Sequence, residues 1–119
     1  MRKVVTTYIN PDMDGISAMY AYSEYLNKSG KKSCYYYEGD AKREVKIVSE
    51  MYGIEINNNQ TINLTDKIVL VDTNSLESLS KCINKNNIVE IYDHHKKTMW
   101  LDNRENININ IENIIAAWW

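Results

Sequence analysis

Three apolar segments, each ending at acidic or imidazole side chains, constrain most strongly what this chain can fold into. They are residues 3–9, 67–72 and 87–92. The polar groups that end or follow them are, in chain order, Asp12 and Asp14, then Asp72, then Asp93, His94 and His95. Short runs rich in Val and Ile are typical of strands buried on both faces of a parallel sheet. Because the carboxyl ends of such strands line one crevice, we expect these groups to meet there.

Segments with helical periodicity separate the strands. One helix is expected from Asp14 to Asn27, capped by Asp12 or Asp14, and a second over residues 41–52, closed by Gly53. The side chains expected to face inward are Ile16, Met19, Tyr20, Ser23 and Leu26 in the first helix and Val45, Val48, Met51 and Tyr52 in the second.

Shorter elements complete the pattern. They are a strand at residues 34–37, a brief strand at 54–56, a short helix marked by Leu76, Leu79 and Ile83, and an edge strand in which Ile107, Ile109 and Ile111 alternate with Asn. Strands that alternate with helices predict an α/β fold. We expect a mostly parallel β-sheet of about four to five strands flanked by helices, in a single domain over residues 1–119.

Length and composition exclude several classes of protein. The 119 residues suffice for one core, and a net charge of -2 gives no support for capture of long duplex nucleic acid. No apolar run approaches the ~18 residues of a membrane-spanning helix, so no membrane partner is expected. Cys34 and Cys82 lie in separate segments without metal-ligand spacing, and a reduced, cytoplasmic protein is the simplest interpretation.

The sequence ends in an apolar segment that includes Trp118 and Trp119. A helix capped by Asn110 or Asn113 would carry this pair, and two tryptophans bury a large area only if something covers them. They could pack into a core groove or an interface between copies of the chain. We favour a truncated domain that forms a homo-oligomer through the Trp118/Trp119 region.

The acidic groups predict a divalent metal. If Asp12, Asp14 and Asp72 converge, a bound cation offsets their repulsion. Carboxylates with one imidazole suit Mn²⁺, with Mg²⁺ or Co²⁺ as alternatives. Two ions ~4 Å apart, bridged by Asp72 and with His94 as a further ligand, would hold a hydroxide and clamp a phosphoryl group.

The neighbouring groups fit supporting roles. Asp93 could orient a histidine from behind, and His95 with Lys96 or Lys97 could bind phosphate oxygens. Each residue alone has a plainer explanation: an aspartate at this position commonly caps a helix, and a histidine or lysine pair is commonly part of a solvated surface. The coincidence of three acidic strand ends favours the metal site.

The motifs resemble those of the DHH phosphoesterases. The matching stretches are Asn10-Pro11-Asp12-Met13-Asp14-Gly15, Val71-Asp72-Thr73-Asn74 and Asp93-His94-His95, which are similar to motifs I, II and III of that family. The family includes RecJ-like exonucleases, nano-RNA and cyclic-dinucleotide phosphodiesterases, and manganese-dependent inorganic pyrophosphatases. The resemblance runs from residue 3 to about residue 119.

This resemblance implies Mn²⁺-dependent phosphoester hydrolysis with one or two ions. It places Asp12 on one ion, Asp14 and His94 on the other, and Asp72 between them, and it gives His95 a role on the substrate phosphate. Within the same motifs we expect Asn10 and Asn74 to bind substrate. The Asp-Met-Asp-Gly form is closer to the phosphodiesterase and nuclease branches than to the pyrophosphatases, which tend to have Ser where Gly15 stands.

Two departures from the family's pattern stand out. The family has a metal-binding His four residues before Asp12, where this chain has Tyr8, a neutral phenol that is a poor ligand. The family also has a fourth motif and a C-terminal substrate-binding domain, and this chain ends before them. We therefore expect Tyr8 to act from behind the ligands, with weaker metal binding and reduced or altered activity.

The expected function is a metal-dependent phosphoesterase that hydrolyses phosphodiester bonds of short or cyclic nucleotides with a metal-activated water. Asp72, His94 and His95 are the candidate catalytic residues, and the partner is a small phosphorylated substrate or short oligonucleotide. The alternative is a degenerate DHH domain that binds a nucleotide, a phosphate ligand or a partner protein without catalysis. A fragment with no independent function is the third hypothesis.

Overall fold

The computed structural model describes residues 2–53, 61–102, 104 and 106–111. Five strands and two α-helices form within these residues. The strands are β1 (Lys3–Thr6), β2 (Ser33–Tyr36), β3 (Lys67–Val71), β4 (Ile88–Asp93) and β5 (Asn108–Ile111), and the helices are α1 (Met13–Lys28) and α2 (Arg43–Tyr52). Single 3₁₀ turns occupy Leu76–Ser78, Lys85–Asn87 and Met99–Leu101.

The five strands form one parallel sheet in the order β2-β1-β3-β4-β5. The predicted α/β class, parallel sheet and edge strand at the end of the described chain are confirmed. The order places β1, β3 and β4, the strands that precede the three motifs, side by side in the centre. It also changes direction between β1 and β3, and a doubly wound sheet binds ligands at the carboxyl ends of such a pair.

Alternating residues of the central strands bury opposite faces of the sheet, as expected for strands covered on both sides. On one face, Val5, Val69 and Val71 pack with apolar residues of α1. On the other face, Val4, Ile68, Leu70 and Ile91 pack with Leu79 and Leu101. The two layers fix the strands, and with them the positions at which the strands end.

Helix α1 buries four of the five side chains that its periodicity predicts, Ile16, Met19, Ser23 and Leu26, and the fifth, Tyr20, is half-buried. Helix α2 does not. Val45 is buried and Val48 is half-buried, whereas Met51 is 72% exposed and Tyr52 is 71% exposed. The expectation that Met51 and Tyr52 face inward is therefore wrong, because α2 contributes only its first turns to the core.

The short helix predicted around residues 76–83 is also wrong in extent. The chain makes one 3₁₀ turn at Leu76–Ser78 and then becomes extended at Leu79. The carbonyl of Ser78 accepts a hydrogen bond of 2.8 Å from the amide of Ile9, so it is used by another segment. The apolar side chains of Leu76, Leu79 and Ile83 still pack on the sheet.

Asp66, just before β3, is buried and forms an ion pair with Arg2 at the amino ends of the strands. Arg2 donates from Nε to Oδ1 at 3.1 Å and from Nη2 to Oδ2 at 2.6 Å, and the Asn63 amide adds a bond of 2.7 Å. The hydrogen bond from Arg2 is the main reason that the pKa of Asp66 lies below its usual value. A bidentate Arg–carboxylate pair of this kind is among the stronger polar contacts in proteins.

Two predictions fall outside the described residues: the strand at 54–56 and the last helix with Trp118 and Trp119. In the part of the chain that is described, no helix combines the length and apolar character needed to cross a membrane.

Candidate metal centre

A cleft of about 400 Å³ opens at the carboxyl ends of β1, β3 and β4. Side chains from all three motifs line it, together with residues that precede or follow the motifs in the chain. Its lining consists of Tyr8, Asp12, Asp14, Asp72, Thr73, Asn74, Ser75, Ser78, His94, His95, Lys96 and Thr98. The predicted crevice therefore exists, and it lies at the switch point of the sheet.

Asp12 is held by the helix that follows it. Its Oδ1 accepts hydrogen bonds from the amides of Asp14 at 3.1 Å and Gly15 at 3.2 Å, so it is the N-cap of α1. The same oxygen accepts a hydrogen bond from the Tyr8 hydroxyl. Burial, followed by this hydrogen bond, raises the pKa of Tyr8. Asp12 is thus both a helix cap and a residue that lines the cleft. The two explanations offered for it, a structural cap and a candidate metal ligand, are therefore compatible.

The turn before α1 is packed closely against β1. A Cβ atom on Gly15 would lie 2.9 Å from Oγ1 of Thr7 and 3.3 Å from a ring carbon of Tyr8. Thr7 Oγ1 is buried and has no hydrogen-bond partner among the described residues. Glycine at this position lets the first turn of α1 approach the end of β1, which brings Asp12 and Asp14 to the cleft.

Asp72 is the most deeply buried of the three acids that line the cleft. It is 3% exposed and has a φ of 59°, in the left-handed region that Asp and Asn tolerate better than most residues. Its Oδ1 lies 2.8 Å from Nε2 of His94. Burial raises the pKa of Asp72, and the neighbouring His94 offsets only part of that effect.

Two buried aspartates, at opposite ends of β3, contrast directly. Asp66 and Asp72 are both 3% exposed, yet the pKa is lowered in Asp66 and raised in Asp72. Arg2 neutralises Asp66, whereas Asp72 has an ion-pair contact with His94 and feels a further carboxylate, Asp14. A buried carboxylate without a strong cationic partner is costly, and a bound cation would remove that cost.

Asp93 organises the histidine pair from behind. Its Oδ1 accepts from the backbone amide of His94 at 2.8 Å and contacts Nδ1 of His95 at 2.6 Å, and its Oδ2 accepts from Nδ2 of Asn74 at 2.5 Å. The two imidazole rings lie 4.2 Å apart between centroids. Because Asp93 occupies Nδ1 of His95, the Nε2 of that ring is the atom left for a ligand.

Two sets of ligand-type atoms converge in the cleft, and Asp72 belongs to both. One set joins Asp72, Asp93, His94 and His95, and the other joins Asp12, Asp14 and Asp72, with the atoms of each set within 4.8 Å of one another. Carboxylate oxygens with an imidazole suit a divalent cation. The donor set and the raised pKa of Asp72 fit such an ion, and a shared carboxylate suits a pair of ions.

Not every candidate residue lies as predicted. Lys96 lines the cleft, but Lys97 and Asn10 are outside its lining. Asn10 has a φ of 55°, and its Oδ1 accepts from the amide of Asp40 at 2.9 Å, so its side chain closes the loop between β2 and α2. The geometry therefore does not support substrate contacts for Asn10.

Asn74 lines the cleft, but its side chain is buried and its hydrogen bonds are to neighbouring residues of the protein. It is 2% exposed; its Nδ2 also donates to the carbonyl of Lys96 at 3.2 Å, and its Oδ1 accepts from the amide and hydroxyl of Thr98. Its carbonyl accepts from Nε1 of Trp100. Sequence reasoning missed Thr98 and Trp100, because loop positions carry no periodic signal that would identify them.

A comparison with protein families agrees with these motifs. The family model described as "DHH family, N-terminal domain" matches residues 2–117. The chain belongs to the DHH family. The resemblance drawn from the three motifs is thereby confirmed.

Relatives of this DHH domain carry a common name. Two proteins, from Shouchella clausii and Deinococcus radiodurans, are each called a "Probable manganese-dependent inorganic pyrophosphatase". The first is 28% identical over 89 residues, 73% of this chain and 29% of that protein, and the second is 29% identical over 90 residues, 75% of this chain and 29% of that protein. The chain thus spans about 29% of the length of these relatives.

A solved structure shares the fold. It is a Methanococcus jannaschii protein described as a candidate family II inorganic pyrophosphatase, with a TM-score of 0.76 and 23% sequence identity. The match covers 96% of this chain and 34% of that chain. At this identity, the likeness shows that the DHH domain fold is the same.

Proposed function

We propose that this DHH domain supplies the metal-binding half of a hydrolase acting on phosphoester or phosphoanhydride bonds, with Mn²⁺ as the cofactor. The observation that carries the proposal is Asp72, a buried carboxylate that belongs to both sets of ligand atoms. The names of the two curated relatives support manganese in particular, with Mg²⁺ or Co²⁺ as alternatives.

Asp12, Asp14, Asp72 and His94 would hold the ions. When bound, such ions lower the pKa of a coordinated water and neutralise charge on a phosphoryl group. The chain's own contribution is orientation: Asp93 holds the ring of His95 at Nδ1, so Nε2 would be the atom that contacts a phosphoryl oxygen. Lys96 at the rim would contact further oxygens, in keeping with its place in the cleft lining.

We propose two substrate classes, pyrophosphate and short or cyclic nucleotides. The relatives' names favour pyrophosphate. The glycine at position 15 favours short or cyclic nucleotides, because the pyrophosphatase branch of the resemblance tends to have Ser there. The tight approach of Gly15 to Thr7 gives this position a structural reason to stay small.

A binding function without catalysis is the second candidate. It is favoured by Tyr8, a neutral group that occupies Oδ1 of Asp12 where the family places a metal-binding His. In that case the cleft would hold a nucleotide or phosphate ligand through the same ions and release it unchanged.

A turnover assay with a panel of substrates tests the proposal. The protein is incubated with Mn²⁺ and pyrophosphate, linear dinucleotides, cyclic dinucleotides or bis-p-nitrophenyl phosphate. We expect turnover that Asp72→Asn and His94→Ala abolish, and that Glu24→Gln, an exposed carboxylate on α1, leaves unchanged. The preferred substrate decides between the two substrate classes, pyrophosphate and short or cyclic nucleotides.

The contrary results are distinct. Stoichiometric ligand retention without product supports the binding function. Turnover that survives Asp72→Asn contradicts the proposed site.

We also propose that copies of the chain assemble through the Trp118/Trp119 region. A clean monomer in a solution mass measurement at micromolar concentration would contradict this assembly.

A further inference from the structure

The three acids on the α1 side of the cleft form a ligand set made of oxygen alone. Asp12, Asp14 and Asp72 bring carboxylate atoms within 4.8 Å of one another, and the hydroxyl of Tyr8 donates a hydrogen bond to Asp12. The set on the β4 side contains the imidazoles of His94 and His95. The two halves of the cleft therefore differ in donor chemistry.

Tyr8 also restricts how Asp12 can bind an ion. Oδ1 of Asp12 already accepts the Tyr8 hydroxyl and the amides of Asp14 and Gly15. Three hydrogen bonds saturate one carboxylate oxygen, so Oδ2 is left as the single atom that Asp12 can offer to a cation. The hydroxyl thus sets the orientation of that carboxylate, as partners behind a ligand commonly do.

We propose that Tyr8 is a positioning residue that makes the two metal positions unequal. Together with Asp12, Asp14 and Asp72 it creates an oxygen-only position that exchanges Mn²⁺ for Mg²⁺, while the position beside Asp72 and His94 retains Mn²⁺. Asp14 is assigned to the oxygen-only position by its distances to Asp12 and Asp72, whereas the family resemblance assigns it to the same ion as His94. The inference rests on the proposed metal-dependent function and names the metal selectivity of each half of the site.

The chemistry follows from ligand type. Hard cations such as Mg²⁺ are bound through oxygen, with several waters retained, and gain little from imidazole. Mn²⁺ accepts oxygen ligands too, but a site with an imidazole holds it in preference to Mg²⁺, since nitrogen favours transition metals. An oxygen-only position therefore discriminates poorly between Mn²⁺ and Mg²⁺, and a mixed position discriminates well.

Mn²⁺ binding can be measured without turnover by following the electron paramagnetic resonance signal of free Mn²⁺ in a titration of the full chain. For the natural sequence we expect two Mn²⁺ per chain in the absence of Mg²⁺ and one in its excess. Tyr8→His, which adds an imidazole to the oxygen-only side, should retain both Mn²⁺ in the same excess.

Tyr8→Phe keeps the ring but removes the hydroxyl from Asp12. We expect it to weaken the exchangeable position by about tenfold while the retained position is unchanged. A purely packing role for Tyr8 would leave both positions as they are. Tyr20→Phe on α1, outside the cleft lining, is the matched control and should not alter either position.

The outcomes separate this inference from the proposed function. If the natural sequence binds no Mn²⁺, both fail. If it binds two Mn²⁺ that resist Mg²⁺ alike or yield to it alike, or only one in its absence, the inference fails and the metal site stands. If Tyr8→His is folded by circular dichroism and still loses one Mn²⁺ to Mg²⁺, or if Tyr8→Phe binds like the natural sequence, the role of Tyr8 is overturned.

Discussion

Asn74 donates a hydrogen bond of 2.5 Å from Nδ2 to Oδ2 of Asp93. This contact joins the loop after β3 to the end of β4, and so joins the second motif to the third. Asp93 is buried and uses its other oxygen to hold both histidines. The orientation of the histidine pair therefore depends on an amide that is itself internal.

Asn74→Ala should destabilise the domain and loosen the loop from Asp93 to Thr98. The substitution leaves Oδ2 of Asp93 and the amide of Thr98 without their partners, and an unpaired buried polar group costs about 1–3 kcal/mol. Urea unfolding measures the change. Asn86→Ala, an exposed position whose side chain has no described hydrogen bond, is the control. A loss of stability no larger than that of the control would contradict the internal role of Asn74.

Asp72→Asn should stabilise the metal-free protein by about 1 kcal/mol. The change removes a buried charge whose pKa is raised by burial, and Asn tolerates the left-handed backbone at this position. Thermal unfolding in a chelator tests this expectation. In saturating Mn²⁺ the order should reverse, because only the natural sequence gains binding free energy, about 2.7 kcal/mol at a hundredfold excess over Kd. A variant that is less stable than the natural sequence in chelator would show that the Asp72 charge is already well compensated.

Gly15→Ala should destabilise the domain, although alanine is the better helix former. Its Cβ would meet Oγ1 of Thr7 at 2.9 Å, and overpacking of this kind typically costs about 1–3 kcal/mol. Thr7→Ala removes the obstructing hydroxyl, so the double variant should recover most of the loss. Additive effects of Gly15→Ala and Thr7→Ala in this double-mutant cycle would contradict a direct steric conflict.

The stability of the domain should fall in acid partly because of Asp66. Its pKa is lowered in the folded state, mainly by the hydrogen bond from Arg2. Its contribution is therefore complete above the ordinary value of 3.8 and is lost as the pH falls through the lower folded value. Denaturant unfolding as a function of pH should show a shallower acid decline for Asp66→Asn. An acid decline of the same slope in Asp66→Asn and the natural sequence would exclude this ion pair as a cause.

The sequence predicts the sheet and the convergence of Asp12, Asp14, Asp72 and His94 because both follow from strand periodicity and from where strands end. It does not predict that Asn74 holds Asp93 from inside the domain or that Asn10 closes the loop before α2. An asparagine that binds substrate and one that bonds to the protein itself look alike in a sequence motif. The sequence also does not predict the exposure of Met51, because helical periodicity identifies an apolar face but not how far the core extends.

The proposed metal centre depends on Asp72 as the carboxylate shared between two sets of ligand atoms that would hold divalent ions. Anomalous diffraction from crystals soaked in Mn²⁺ tests it most directly. We expect a manganese peak within coordination distance of Asp72 and His94, with a second peak on the side of Asp12 and Asp14 that Mg²⁺ displaces. A cleft without anomalous density at Asp72 in crystals saturated with Mn²⁺ would contradict it.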